Sequence, residues 1–396
     1  MSEQRDESLD FYQEESYVRS YRSPGSLLTF NIAHGYLEGV FRGFRSGFLT
    51  VSHYRQLCQC ETLDDVKLTL TDTDYAAALQ ALQAPKLTPE MIVDVCGSKL
   101  NQEFDHIRSQ ATGPLATFMD MISFEFMIDN ISFLILSLVK GGAPDHLLSK
   151  CNPMGRFPRM KSILTFENTD EGLLDLYSTV LVDTPVAPYF EKYFEVVSPI
   201  GADSPPLLHM HRVFAEEDID VINDVLKRLW LEDFYNYAQQ LGGTTWEVMK
   251  DLLEFEADRR AISIMINSFA TPLNDPLRRQ ERASMFASFG TLYPSAIEKF
   301  SQVGDMSQLG AVLEDYKPFH LLWQRAHNEG KEIVDVLYER EIELSREAFL
   351  GQSHLAFVWA YVKLKEQERR NLFWITECIN QQQKDPSTIN RWIAVF

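Results

Sequence analysis

No stretch of this sequence is long and apolar enough to cross a membrane as a helix. The most apolar run, "ISFLILSLV" at Ile131–Val139, has nine residues against the ~20 that a spanning helix needs. Positive charge is also scarce. Lys and Arg number 37 against 57 Asp and Glu, for a formal net charge of −20. Nucleic acid and anionic lipid headgroups would repel such a chain, so no nucleic acid is expected as a partner, and any work at a membrane should run through protein contacts. Cysteine is sparse and odd in number, with Cys58, Cys60, Cys96, Cys151 and Cys378 scattered along the chain. With no apolar targeting core at the acid-rich N-terminus, this pattern indicates reduced thiols and a cytosolic setting.

Catalytic signatures are missing too. There is no Gly-x-Ser-x-Gly, His-Glu-x-x-His, Walker or dinucleotide fingerprint. "GGTT" at 242–245 is not followed by Gly-Lys-Ser/Thr, so it reads as punctuation between helices and not as a phosphate loop. Cys58-x-Cys60 lacks a second ligand pair, and His209-x-His211 lies in a linker with loose spacing. The acids of "AEEDID" at 215–220 suit a helix start better than a calcium site. No cofactor and no metal are expected.

What is present is helical. "YLEGVFRGFRSGFL", "VINDVLKRLWLEDFYNYAQQL" and "SHLAFVWAYVKLKEQERRNLFWITECI" place apolar residues three and four apart, while long alternating runs are scarce. The class is all-α. Gly242 is expected to end one helix, and Thr244-x-x-Glu247 to cap the next. A weak internal repeat adds organisation: residues 62–79, 172–190 and 306–323 each read as a short amphipathic helix ending near an acid, Asp72, Asp183 and Asp315. A long helix follows each one, and aligning these puts Asp129, Asp258 and Glu368 in register. The expected division is a flexible acidic tail at 1–26 and helical domains at 27–145, 146–270 (with a polar loop at 198–218) and 271–396. Three similar units suggest a quasi-threefold body with a central funnel.

The long helices carry charge where apolar residues belong. In "LEFEADRRAI", Arg259 falls inside the arc of Leu252, Phe255, Ile262 and Ile266, with Asp258 at its edge. Glu256 is three and four residues from Arg259 and Arg260, within pairing reach of both. Glu254 and Asp258 repel each other, so one of them is expected to find a cation on another helix. Asp129 and Glu368 interrupt the stripes of their own helices. An unpaired buried charge costs several kcal/mol, so these groups must pair or face a cavity. Three readings remain open: ion pairs between helices, an inner surface gripping another chain, and catalysis.

Several long words of the chain resemble the AC39 family, the d subunits of vacuolar-type proton ATPases. They include "GYLEG" (35–39), "CETLDD" (60–65), "LVDTP" (181–185), "LGGTT" (241–245), "LEFEADRRA" (253–261), "INSF" (266–269), "LYP" (292–294), "KLKEQE" (363–368) and "WITECI" (374–379), in order and over nearly the whole chain after the tail. Lys150-Cys151-Asn152-Pro153-Met154-Gly155 departs from the family's Lys-Cys-His-Pro-Leu-Gly, and the tail and the 198–218 segment look like additions. The resemblance implies three helical domains around a funnel on the cytosolic face of vacuolar or other endomembranes. The partners it implies are the proteolipid ring, the central-stalk subunits D and F, and subunit a. Torque would pass from stalk to ring, with no ATP site and no proton site in this chain. It also draws Arg369, Arg370, Trp374, Glu377 and Cys378 into the set of structural or partner-facing residues, beside Asp129, Asp183, Glu254, Glu256, Asp258, Arg259, Arg260 and Glu368. A helical-repeat scaffold unconnected with rotation is the alternative.

Overall fold

The computed structural model describes residues 27–82, 86–140, 147–166, 169, 172, 175–197, 219–382, 389 and 393–395. Among them there are helices and turns but no strand, as an all-α chain requires. The tail at 1–26, the loop at 198–218 and the pair His209 and His211 lie outside the described residues.

Helix α1 (Leu27–Gly43) leads into three short helices, α2 (Val51–Leu57), α3 (Leu63–Thr69) and α4 (Ala76–Ala81). Two long ones follow, α5 (Pro89–Arg108) and α6 (Gly113–Val139). Through a one-turn helix at Leu147–Lys150, 3-10 turns at Pro153–Gly155 and Met160–Thr165 and a π turn at Tyr177–Leu181 the chain reaches α7 (Ala187–Val197), α8 (Ile219–Leu241) and α9 (Gly243–Ser268). The chain continues through α10 (Ser295–Phe300), α11 (Met306–Leu313) and α12 (Lys317–Glu329) to α13 (Ile333–Leu350) and α14 (Ala356–Asn380). Side-chain caps fix several starts: Thr50, Thr62, Thr88 and Asp305 each accept a first-turn backbone N–H. Thr62 and Asp305 open α3 and α11, the corresponding short helices of the first and last repeat segments.

The start of α9 differs from the capping box expected at Thr244 and Glu247. The helix begins at Gly243, and Gly242 precedes it with φ 64 and no side-chain cap. Positive φ comes readily to glycine, so the chain turns sharply from α8 into α9 without a capping side chain. Thr245 is turned to another task, accepting the Leu355 N–H at 3.0 Å just before α14.

The long helices pack in a closed circuit. α6 lies on α8, α8 on α9, α9 on α13, α13 on α14 and α14 on α5, and residues 153–155 touch both α5 and α6. One apolar core runs through this circuit, with Trp230, Phe118, Phe234 and Tyr361 among its fully buried members. A second, smaller core lies at one end of α5 and α14. It joins Leu49, Leu57, Val66, Leu70 and Leu79 to Leu372 and Ile375. No helix among the described residues is long and apolar enough to cross a membrane.

Candidate functional site

The charges of α9 meet charges from three other helices inside the main core. Glu256 is 1% exposed and receives Arg259 through both guanidinium Nε (3.1 Å) and Nη2 (2.7 Å), together with Arg260 Nε at 2.6 Å. Arg260 reaches across to Glu125 on α6. From α14, Lys363 Nζ stands 3.8 Å from Glu125, 3.8 Å from Glu256, 3.7 Å from Glu341 of α13 and 3.9 Å from Glu366. Arg259 lies 3.9 Å from Glu341. Aromatic faces complete the shell: Trp230 under Arg260, Tyr338 under Arg259 and Trp359 under Lys363. Three cations thus sit among four carboxylates where α6, α9, α13 and α14 converge.

The electrostatics follow from that geometry. Burial alone would raise the Glu125 carboxyl, but Lys363, Arg260 and Lys227 hold it down at about 2. Glu256 is likewise held well below the usual range against burial, chiefly by Arg259 and Lys363. Glu341 has only the longer contacts, and for it burial prevails over Arg259 and Lys363, so its carboxyl is raised. Ion pairs packed this closely are a tie between helices, since losing one partner strands a buried charge.

Asp258 is solved differently from the expectation of a cation on another helix. It is 2% exposed and accepts two backbone N–H groups, from Thr291 at 2.8 Å and Leu292 at 3.0 Å. Gly290 makes room for it: a Cβ there would lie 2.5 Å from Asp258 Oδ1, and its φ of +116 favours glycine. With amides for partners in place of a cation, burial pushes the Asp258 carboxyl up to about 7. Among the described residues no cation from another helix pairs with Glu254 either. It accepts the Tyr235 hydroxyl at 2.9 Å and stands 3.9 Å from Lys250 of its own helix.

The three aligned acids therefore have three different settings. Asp129 is not in the core; its side chain is 42% exposed and pairs with Lys227 at 2.6 Å and the Asn223 amide at 3.0 Å, both from α8. Its neighbour Asn130 is the buried one, accepting the Asn152 N–H at 2.7 Å and donating to the Asn152 carbonyl at 2.9 Å. Glu368 is fully buried, accepting the Leu49 N–H at 2.6 Å, the Tyr75 hydroxyl and Lys365 Nζ at 3.0 Å. In the first of the three aligned helices the backbone-holding position is taken by Asn130 and not by Asp129. Asn130, Asp258 and Glu368 each accept a backbone N–H from outside their own helix.

The remaining predicted residues are spread apart. Asp183 is exposed and pairs with Arg159 at 3.2 Å. Arg369 lies half-buried beside Gly97 of α5. Arg370 covers the Tyr338 ring at 4.0 Å and bonds Gln367 at 3.2 Å. Trp374, 37% exposed, donates from Nε1 to the Ile389 carbonyl at 3.1 Å. Arg370, Trp374, Phe373 and Asp335 help line a cleft of about 430 Å³ between α13 and α14. Glu377 is half-buried and accepts from Gln381 at 3.2 Å, while Cys378 is buried in the smaller core. Glu125, Glu341, Lys363 and Glu366 were not singled out from the sequence as site residues. Only "KLKEQE" carried a signal for two of them, because a carboxylate on α13 is not readable as a partner of α9 until both helices are placed.

The sequence is shared with known proteins along nearly its whole length. Residues 37–389 match the family described as ATP synthase (C/AC39) subunit. V-type proton ATPase subunit d of Dictyostelium discoideum is 39% identical over 375 residues, covering 95% of this chain and 98% of that protein. A probable V-type proton ATPase subunit d of Oryza sativa is 40% identical over 360 residues, 91% and 96% of the two chains. Subunit d of Saccharomyces cerevisiae is 36% identical over 368 residues, 93% and 99% of the two chains. With relatives of this identity matched along almost their full length, the chain belongs to the C/AC39 family, among the d subunits of V-type proton ATPases.

Proposed function

We propose that this chain is the non-catalytic coupling element between the central stalk, subunits D and F, and the proteolipid ring of a vacuolar-type proton ATPase. It sits on the cytosolic face of vacuolar or other endomembranes, beside subunit a, and turns with the ring as ATP hydrolysis elsewhere drives the stalk. The observation that carries the reading is the match to d subunits along nearly their whole length. The closed circuit of long helices supports it, because a body that transmits torque must resist shear between its helices, and the buried charges tie four of them. The circuit also suits three quasi-equivalent units around a funnel able to seat an axle. On this reading the charges of α9 and Lys363 are internal ties, while Asp183, Arg370, Trp374 and Glu377, with exposed or cleft-facing groups, are where partner chains make contact.

The test is removal of the protein from cells with no second copy. Membranes then lose ATP-driven proton pumping, and the peripheral head no longer co-purifies with the proteolipid ring. Normal pumping by such membranes would overturn the proposal. Recovery of the tagged chain without proteolipid or stalk subunits would instead favour a scaffold unconnected with rotation.

A further inference from the structure

Helices α5 and α14 each pass from one apolar core into the other. On α14, Leu364 belongs to the main core and Leu372 to the smaller one; on α5, Leu100 and Cys96 are divided in the same way. Between the cores lies a buried polar layer made of Lys365, Gln367, Glu368 and Asn371, with the hydroxyls of Tyr54 and Tyr75. The other wall of the smaller core is residues 49–82. Their apolar side chains Leu49, Tyr54, Leu57, Val66, Leu70 and Leu79 all belong to it and none to the main core. A segment whose buried contacts are confined to a satellite cluster can leave without opening the principal core.

The polar layer holds that segment chiefly through Glu368, with Asn371 adding a bond to the Tyr54 hydroxyl at 3.2 Å. Glu368 takes the Leu49 N–H and the Tyr75 hydroxyl from the segment, and Lys365 from its own helix. Lys365 lies 4.7 Å from the Phe48 ring centre and 5.2 Å from that of Tyr75, and its ammonium also reaches the Gly47 carbonyl at 3.4 Å. The equivalent grips at Asn130 and Asp258 hold segments that follow their own helices closely in the chain. The grip at Glu368 joins positions 319 residues apart, so no short connection backs it up.

We propose that residues 49–82 form a flap that opens from α5 and α14 as one unit, with Glu368 as its clasp, while the main body stays folded. The inference stands independently of the coupling role. The cysteines report on it. Cys58, Cys96 and Cys378 are buried in the smaller core, and Cys151 in the main one. Burial also raises all four thiols, so each reacts slowly until uncovered.

The experiment is N-ethylmaleimide labelling of the full-length chain, with the rate at each cysteine read by peptide mass spectrometry. Glu368→Gln is expected to speed labelling of Cys58, Cys96 and Cys378 together, on the order of tenfold or more, and to leave Cys151 unchanged. A parallel rise at Cys151 would mean global loosening and overturn the proposal. Unchanged rates at the three flap-side thiols would overturn it equally. Should Glu368→Gln fail to fold, Tyr75→Phe removes the hydroxyl's bonds with Glu368 and Lys365 while keeping the ring beside Lys365 and leaving the Leu49–Glu368 bond, and a smaller rise with the same pattern is expected.

Discussion

At the scale of single residues, the molecule uses two solutions to one problem. Glu256 keeps its charge because three cations surround it, while Asp258, two residues on in the same helix and held by Thr291 and Leu292 with no cation beside it, is pushed up to about 7 by burial. Arg259→Ala removes the bidentate partner of Glu256 and leaves Glu341 with Lys363 alone at 3.7 Å. A loss of about 3 kcal/mol is expected, at the lower end for a broken buried pair because Arg260 and Lys363 remain, and urea unfolding of the purified chain measures it. For Asp258 the sign is fixed by linkage. Its folded pKa of about 7 lies above the ordinary 3.8, so its contribution to stability is full below 3.8 and is lost as pH rises through 7. Wild type should therefore lose roughly 2–3 kcal/mol relative to Asp258→Asn between pH 5 and pH 8, read from paired denaturation curves. Equal slopes in the two proteins would contradict this account of Asp258. That these residues were unusual was legible on a helical wheel. Their partners were not, because Glu125, Glu341 and Lys363 are 131, 85 and 107 positions from Glu256 in the chain.

At the scale of elements, helix existence followed from periodicity and helix ends from local chemistry, with one exception. Thr62 and Asp305 cap their helices, but the box expected at Thr244 and Glu247 does not form, and α9 starts on a bare glycine one residue earlier. The positive φ of Gly242 lets the chain turn directly from α8 into α9 without a capping side chain. Helix α14 shows a second limit. Every residue from Ala356 to Lys365 is buried, so the helix is enclosed on all sides and a one-sided stripe cannot describe it. The turn that Asp258 holds is sensitive for its own reason. Gly290→Ala introduces a Cβ 2.5 Å from Asp258 Oδ1 at a φ of +116, and should cost about 2 kcal/mol or more, seen as a lowered melting temperature. A double variant with Asp258→Ala should recover part of that loss by removing the clashing oxygen, which a scan of both variants would reveal.

At the scale of the whole molecule, packing forms a circuit and charge is sorted by depth. The exposed Arg159–Asp183 pair, with both side chains more than half exposed, should contribute little: Asp183→Ala is expected to change stability by less than about 0.5 kcal/mol in thermal melts. If Asp183 meets a partner chain, the same variant lowers ATP-driven proton pumping in reconstituted membranes without unfolding the protein. The class, the helices, the acidic surface and the family were all carried by linear features: spacing, composition and long shared words. Such features survive in one dimension because each reflects neighbours within a few residues, or a composition summed over the chain. The part taken by Asn130 in place of Asp129, the meeting of four helices at Lys363 and the joining of Leu49 to Glu368 depend on which surfaces come together. A buried charge acquires its partner, and its pKa, only when the chain has closed around it, so these features belong to the folded body and not to any stretch of its sequence.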